Sequence, residues 1–194
     1  MLEYHRSKAT IKDSLMPFSF SETELPGLVI VTPRVFPDDR GFFIETYKES
    51  DFRKAGIAER FVQDNHSRSS KGTLRGLHFQ RSPYAQGKLV RASRGRLWDV
   101  AVDLRPDSPT YRRWLGVELS EDNRVMFYIP AGFAHGFVAL EDGTELQYKC
   151  TAEYDAASDG GVRWDDPELA IRWPITDVLV SAKDAALPYL KELP

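Results

Sequence analysis

The residues able to do chemistry in this chain are four histidines, one cysteine and a scatter of lysines, arginines and aspartates. His78 lies in "LRGLHFQ" (74–80), a run that reads as a β-strand yet carries an arginine and a histidine among apolar residues. A histidine there can ligate a metal, sit hydrogen-bonded in a core, or act as a base, since its pKa lies near neutrality. Its neighbours favour the third role. Arg75, Lys88, Arg91 and Arg94 crowd the same stretch, and inward-facing cations in a half-buried sheet need an anion. His5 and His66, taken alone, read as ordinary structural histidines.

The elements that must position these residues are short strands. Apolar or alternating runs recur near Leu28–Thr32, Phe42–Tyr47, Phe61–Asn65, Leu74–Phe79, Lys88–Ser93, Arg96–Leu104, Arg113–Leu119, Arg124–Ile129, His135–Leu140 and Glu145–Thr151. Turn residues such as Asp38-Asp39-Arg40-Gly41, Arg94-Gly95 and Glu141-Asp142-Gly143 separate them. Many short strands at this spacing predict an all-β sandwich or barrel. Helix is confined to two short candidates, Ser50–Gly56, with Ser50 as the capping serine, and Ser181–Ala186. The first 17 residues read as an N-terminal arm and 18–194 as a single domain. Along Leu97–Leu104 one face carries Trp98, Val100, Val102 and Leu104; the other mixes Leu97 and Ala101 with Asp99 and Asp103. That mixed face belongs either outside or around a polar cavity. Tyr148 alternates with Leu146 and Cys150, which puts a phenol on an inward face.

Composition narrows the classes. A chain of 194 residues with 42% hydrophobic and 28% charged residues suits one soluble domain. Its net charge of −3 provides no basic field for nucleic acid. No apolar run approaches the ~18 residues of a membrane span, and the N-terminus lacks the apolar core of a secretory signal. A single cysteine excludes an intrachain disulfide and four-cysteine zinc sites. The cytoplasm is the expected location.

The strand count and "PAGFAH" (130–135) fit a cupin-like jelly roll, a double-stranded β-helix. Metal-binding cupins pair that second motif with a first one of two histidines one residue apart, then a glutamate. Here the first motif reads His78-Phe79-Gln80, followed by Gln86 and Lys88. A first-row metal wants three or four imidazole or carboxylate donors, and Lys88 would repel a dication. No metal and no cofactor are expected.

Taken in order, "VFPDDRGFFIETY", "FVQDNHS", "GTLRGLHFQ", "QGKLVR", "IPAGFAHGF", "YKCT", "WDDPELAIRWP" and "SAKDAA" resemble the motifs of the dTDP-4-dehydrorhamnose 3,5-epimerase family, from about Gly27 to Ala186. The resemblance implies a cofactor-independent, cupin-fold homodimer acting on a dTDP-linked 4-keto-6-deoxy sugar. Such a reaction takes a proton from C3 and from C5, both acidified by the ketone, and returns one on the other face. It implies His78 as base and Asp166 as its carboxylate partner, although spacing alone does not separate Asp166 from Asp165. It implies Lys88 at the enolate oxygen and Tyr148 as the opposite-face acid. Arg40, Arg75 and Lys183 would meet the diphosphate or sugar, a task suited to arginine's planar fork. Glu45, Gln63, Asp64, Asn65, His135 and Asp159 complete the implied substrate contacts; Asp159 departs from the glutamate expected there.

Strict alternation sets Arg75 and His78 on opposite faces of one strand. Both can serve one ligand only if the strand bulges, and Gly76 is the place for it. Close relatives that invert only C3 or only C5 share these motifs. A metal-dependent cupin oxygenase or isomerase and a non-catalytic nucleotide-sugar sensor are the alternatives from other classes.

Overall fold

The computed structural model describes residues 17–193; the expected N-terminal arm lies outside them apart from Pro17, and so does His5. In chain order the elements are β1 (Phe18–Glu22), β2 (Val29–Pro33), β3 (Val35–Asp38), β4 (Gly41–Ile44), α1 (Glu49–Lys54), β5 (Gln63–Ser69), β6 (Thr73–Gln80), β7 (Lys88–Arg94), β8 (Arg96–Asp103), β9 (Trp114–Ser120), β10 (Met126–Ile129), β11 (Phe133–Ala139), β12 (Thr144–Cys150), β13 (Asp159–Gly161), β14 (Leu179–Val180) and α2 (Ala182–Ala185). Two sheets form a jelly roll. One runs β1-β2-β10-β7-β12-β5; the other runs β13-β6-β11-β8-β9, with β14 also paired to β6. β3 and β4 form a separate two-stranded hairpin. Among the described residues no helix is long and apolar enough to cross a membrane.

Period-2 alternation sends side chains to three cores. Between the sheets lie Leu28, Val90, Ala92, Leu97, Ala101, Phe127, Phe133 and Leu146. The mixed face of β8 is therefore the inner one: Leu97 and Ala101 pack in that core, and Asp99 and Asp103 are buried beside them. Outside the first sheet, Phe52 of α1 packs with Phe18, Leu89, Met126 and Tyr128. Outside the second, Val100, Val102 and Trp98 are covered by Val162, Leu169, Trp173 and Leu190 of the C-terminal segment. Burying a Leu, Phe or Met side chain fully contributes about 1.5–3 kcal/mol, so these layers hold the sheets rigidly around whatever lies between them. Ser50 does not cap α1. The N-cap is Lys48, without a side-chain cap, and Ser50 falls inside the helix. Ser181 does cap α2, its hydroxyl accepting the Asp184 amide.

The β6–β11 ladder is irregular where the sequence suggested. His135 stands opposite His78 and Phe137 opposite Arg75. Two residues of β6, Gly76 and Leu77, thus face the single Gly136 of β11, a bulge that resets the alternation. Gly76 has φ +135°, and a Cβ on it would stand 2.5 Å from the Gly136 Cα. Gly76→Ala is therefore expected to cost about 2 kcal/mol or more, lowering Tm by about 4–8 °C in a chain of this size. A thermal melt within a degree of wild type would show that the bulge tolerates a side chain.

Candidate active site

A cavity of about 220 Å³ opens at one end of the jelly roll. His78, Phe79 and Gln80 of β6 line it on one wall; Lys88 of β7, Tyr148 of β12 and Gln63 and Asn65 of β5 line the other. Tyr154, Asp159 and Lys183 stand at its rim. Imidazole and phenol therefore come from opposite sheets.

His78 has a carboxylate partner. Its Nε2 donates to Asp184 Oδ1 at 2.8 Å, while Asp184 Oδ2 accepts the Gly76 amide at 3.3 Å. The edge of β6 is paired by β14 at Thr73–Leu74 and by β13 at His78–Gln80. Asp184 enters the gap between them from α2, oriented by the Ser181 cap. A second pair lies alongside: the ladder sets His135 opposite His78, and its Nε2 donates to both oxygens of fully buried Asp99, at 3.0 and 2.9 Å.

Water exclusion sets the protonation states. Burial pushes the His78 pKa below the usual imidazole range; the hydrogen bond and charge of Asp184 oppose this, and Lys88 and His135 add to it. With Nε2–H committed to Asp184, the neutral ring keeps its lone pair on Nδ1. Burial lowers the Lys88 pKa, against the pull of Cys150, Asp99 and Asp159. Burial raises the Tyr148 pKa and Cys150 adds to it, with the charge of Arg75 acting the other way, so the phenol keeps its proton. The site offers an imidazole whose pKa burial holds down, a desolvated lysine and a protonated phenol, the groups needed to move a proton next to a carbonyl.

The family model for dTDP-4-dehydrorhamnose 3,5-epimerase matches residues 22–192. The chain belongs to this family. It is 54% identical over 173 residues to the dTDP-4-dehydrorhamnose 3,5-epimerase of Escherichia coli K12, covering 88% of this chain and 94% of that one. The crystal structure of dTDP-6-deoxy-D-glucose-3,5-epimerase from Legionella pneumophila, in complex with dTDP-4-keto-L-rhamnose, superposes with a TM-score of 0.88 at 45% identity, covering 91% and 95% of the chains. A 3′-monoepimerase from Streptomyces bikiniensis, in complex with dTDP-quinovose, superposes with a TM-score of 0.83 at 32% identity, covering 87% and 86%.

Within this family member the structure brings together His78, Lys88, Tyr148, Gln63, Asn65, Asp159 and Lys183. It does not bring Asp166. That carboxylate is buried, accepting the Glu168 and Leu169 amides on Oδ1 and the Leu190 amide on Oδ2; it staples the C-terminal segment. Asp165 pairs with Arg163. Asp184 holds the position expected of Asp166. Asp64 also lies elsewhere: alternation turns it to the outer face of the sheet, where it pairs with Lys149 at 2.9 Å. Arg40 sits on the β3–β4 turn, its side chain 90% exposed and paired with Asp38, and Glu45 follows the same hairpin; neither lines the cavity. Arg75 bonds Ser69 Oγ and the Arg68 carbonyl, and reaches the site only through its charge on Tyr148. His135 is buried behind the cavity rather than lining it. Gln80 turns its side chain into neighbouring loops, and among the described residues no group of three or more His, Cys, Asp or Glu side chains could hold a metal.

Asp184 raises the His78 pKa, so Asp184→Asn removes that upward pull. The imidazole then protonates only at lower pH. The acid limb of activity is expected to move to lower pH while the plateau rate falls. Asp166→Ala should leave the limb in place and lower stability by about 2–3 kcal/mol, through three charge-assisted bonds lost. A shifted limb in the Asp166 variant, with none in the Asp184 variant, would restore Asp166 as partner.

Proposed function

We propose that this protein is an isomerase that inverts C3 and C5 of dTDP-4-dehydro-6-deoxy-D-glucose, giving dTDP-4-dehydro-L-rhamnose for dTDP-rhamnose biosynthesis, without metal or cofactor. The observation that carries this reading is the placement of base and acid on facing sheets, His78 on β6 and Tyr148 on β12, across one cavity. His78 takes the proton from C3 or C5, and Asp184 holds the ring and stabilises the imidazolium. The electron pair moves into the C4 ketone, and Lys88 meets the oxyanion. Tyr148 returns a proton from the opposite side, inverting the centre. Once solvent has taken the proton from the imidazolium and returned one to the phenolate, the same groups serve the other carbon.

The nucleotide end falls to Gln63 and Asn65 on the wall and Lys183 at the rim, with Arg75 and His135 behind them. Arg40 and Glu45 reach a ligand only from another subunit. The β3–β4 hairpin exposes Phe36, Phe42 and Phe43 by 40%, 56% and 63%, and three such rings on an arm outside both sheets favour burial against a second copy. The protein is accordingly a cytoplasmic homodimer in this reading, and light scattering at twice the chain mass supports it where a monomer opposes it.

The similarity to a 3′-monoepimerase supports one competing reading, inversion at a single carbon. Incubation with the substrate in deuterium oxide, followed by NMR, separates them: label at both C3 and C5 is expected, and label at one alone means a monoepimerase. His78→Ala is expected to slow exchange by about 10²–10⁴-fold, the loss of a general base. Tyr148→Phe should retain exchange and impair inversion. Wild-type turnover in His78→Ala would remove the mechanism.

A further inference from the structure

One wall of the cavity is not a strand. Between β12 and β13 the chain crosses the rim as a loop, and glutamine side chains hold its backbone. Gln86 Nε2 donates to the Ala152 carbonyl at 2.6 Å, and Gln80 Nε2 to the Glu153 carbonyl at 3.1 Å. Gln63 Oε1 accepts the Tyr154 amide at 2.8 Å, and Gln80 Oε1 accepts the Asp155 amide at 2.8 Å. Four successive residues thus bond to carboxamides in place of a neighbouring strand. Gln80 is the centre of the set. It is 7% exposed and also donates to the Tyr84 carbonyl at 2.7 Å, so both its N–H groups are used and two loops are joined.

Only a carboxamide can do this, because the position must donate twice and accept once from a single planar group. The loop so held carries Tyr154, 58% exposed at the rim, whose hydroxyl lies 3.4 Å from Asp159 Oδ2. Asp159 in turn pairs with Lys183 at 2.6 Å, and the β13–β6 ladder sets it opposite Gln80 itself. None of these contacts is a hydrogen bond to His78, Asp184, Tyr148 or Lys88; Asp159 acts on Lys88 through its charge alone.

We propose that Gln80 is a positioning residue for substrate binding: its carboxamide, assisted by Gln86, fixes the loop 152–155 and with it the rim formed by Tyr154 and Asp159. The proposal rests on reading the cavity as the nucleotide-sugar site. A ligand meeting a pre-formed rim does not have to order it, so loss of the tether weakens binding. The chemical step, carried by residues on the strands and α2, is spared.

The test compares wild type with Gln80→Met, which keeps the length and removes the bonds, and with Gln80→Glu, which keeps the acceptor for Asp155 and sets a carboxylate against two carbonyls. Steady-state kinetics, calorimetry with dTDP and amide exchange at Tyr154 and Asp155 are read together. Expected for Gln80→Met are a KM raised about 10-fold or more, weakened dTDP binding, kcat within about threefold, and faster exchange at both amides. Gln80→Glu should show the same pattern and serves if the Met variant does not fold. An unchanged KM overturns the proposal even if Tm falls, because a purely structural residue would give that result. A fall in kcat at constant KM also overturns it. If wild type neither binds dTDP nor turns over the sugar, the functional reading fails, while amide exchange still decides whether Gln80 holds the loop.

Discussion

The contact of Asp184 with β6 organises the site. One carboxylate accepts the His78 ring on one oxygen and the Gly76 amide on the other. That amide is free because the strand bulges there, and the bulge is possible because Gly76 and Gly136 meet with no side chain between them. The same bulge turns Arg75 toward Tyr148 while leaving His78 in the cavity. A regular strand would have set the two on opposite faces, and the ladder would have consumed the amide that helps to hold Asp184.

Around this contact the protein balances desolvation against pairing. Each histidine in the interior has its own carboxylate, Asp184 for His78 and Asp99 for His135. Burial works against the charge on Lys88, and Cys150, Asp99 and Asp159 oppose it from within the same field. The low-dielectric setting strengthens every charge meant to act on an enolate, but only if each buried charge has a counterpart. The jelly roll provides the counterparts from several strands, and three apolar layers keep those strands in register.

Much of this was legible in the sequence. Alternation gave most of the strands to within a few residues, placed Tyr148 inward, and identified Gly76 as the site of the bulge. The motif presents Gln63, Asp64 and Asn65 as one group of substrate contacts, although neighbours in a strand face opposite ways, and the structure turns Asp64 out to Lys149. β1 and β3 are illegible in the sequence because their runs are short and interrupted by Ser and Pro, and β13 and β14 because they span only three and two residues. The partner of His78 is what the sequence conceals most fully. Asp184 lies 106 residues away on a helix of four residues, and no periodicity links such a pair. Asp166 and Asp184 are both buried aspartates in neighbouring C-terminal motifs, and only the fold shows that one staples backbone amides while the other meets a ring. Asp99 carried a fainter signal, a carboxylate alternating with Leu97 and Ala101 on what proved to be the inner face of β8.

At rest His78 is a neutral imidazole with Nε2–H given to Asp184 and Nδ1 left basic. Nitrogen-15 NMR of the histidine side chains in the free protein reads this directly, giving the tautomer and its titration. The expected result is the Nε2–H neutral form at pH 7, titrating below the ordinary histidine value of about 6.5. A His78 that is already an imidazolium at pH 7, or that carries its proton on Nδ1, would contradict it.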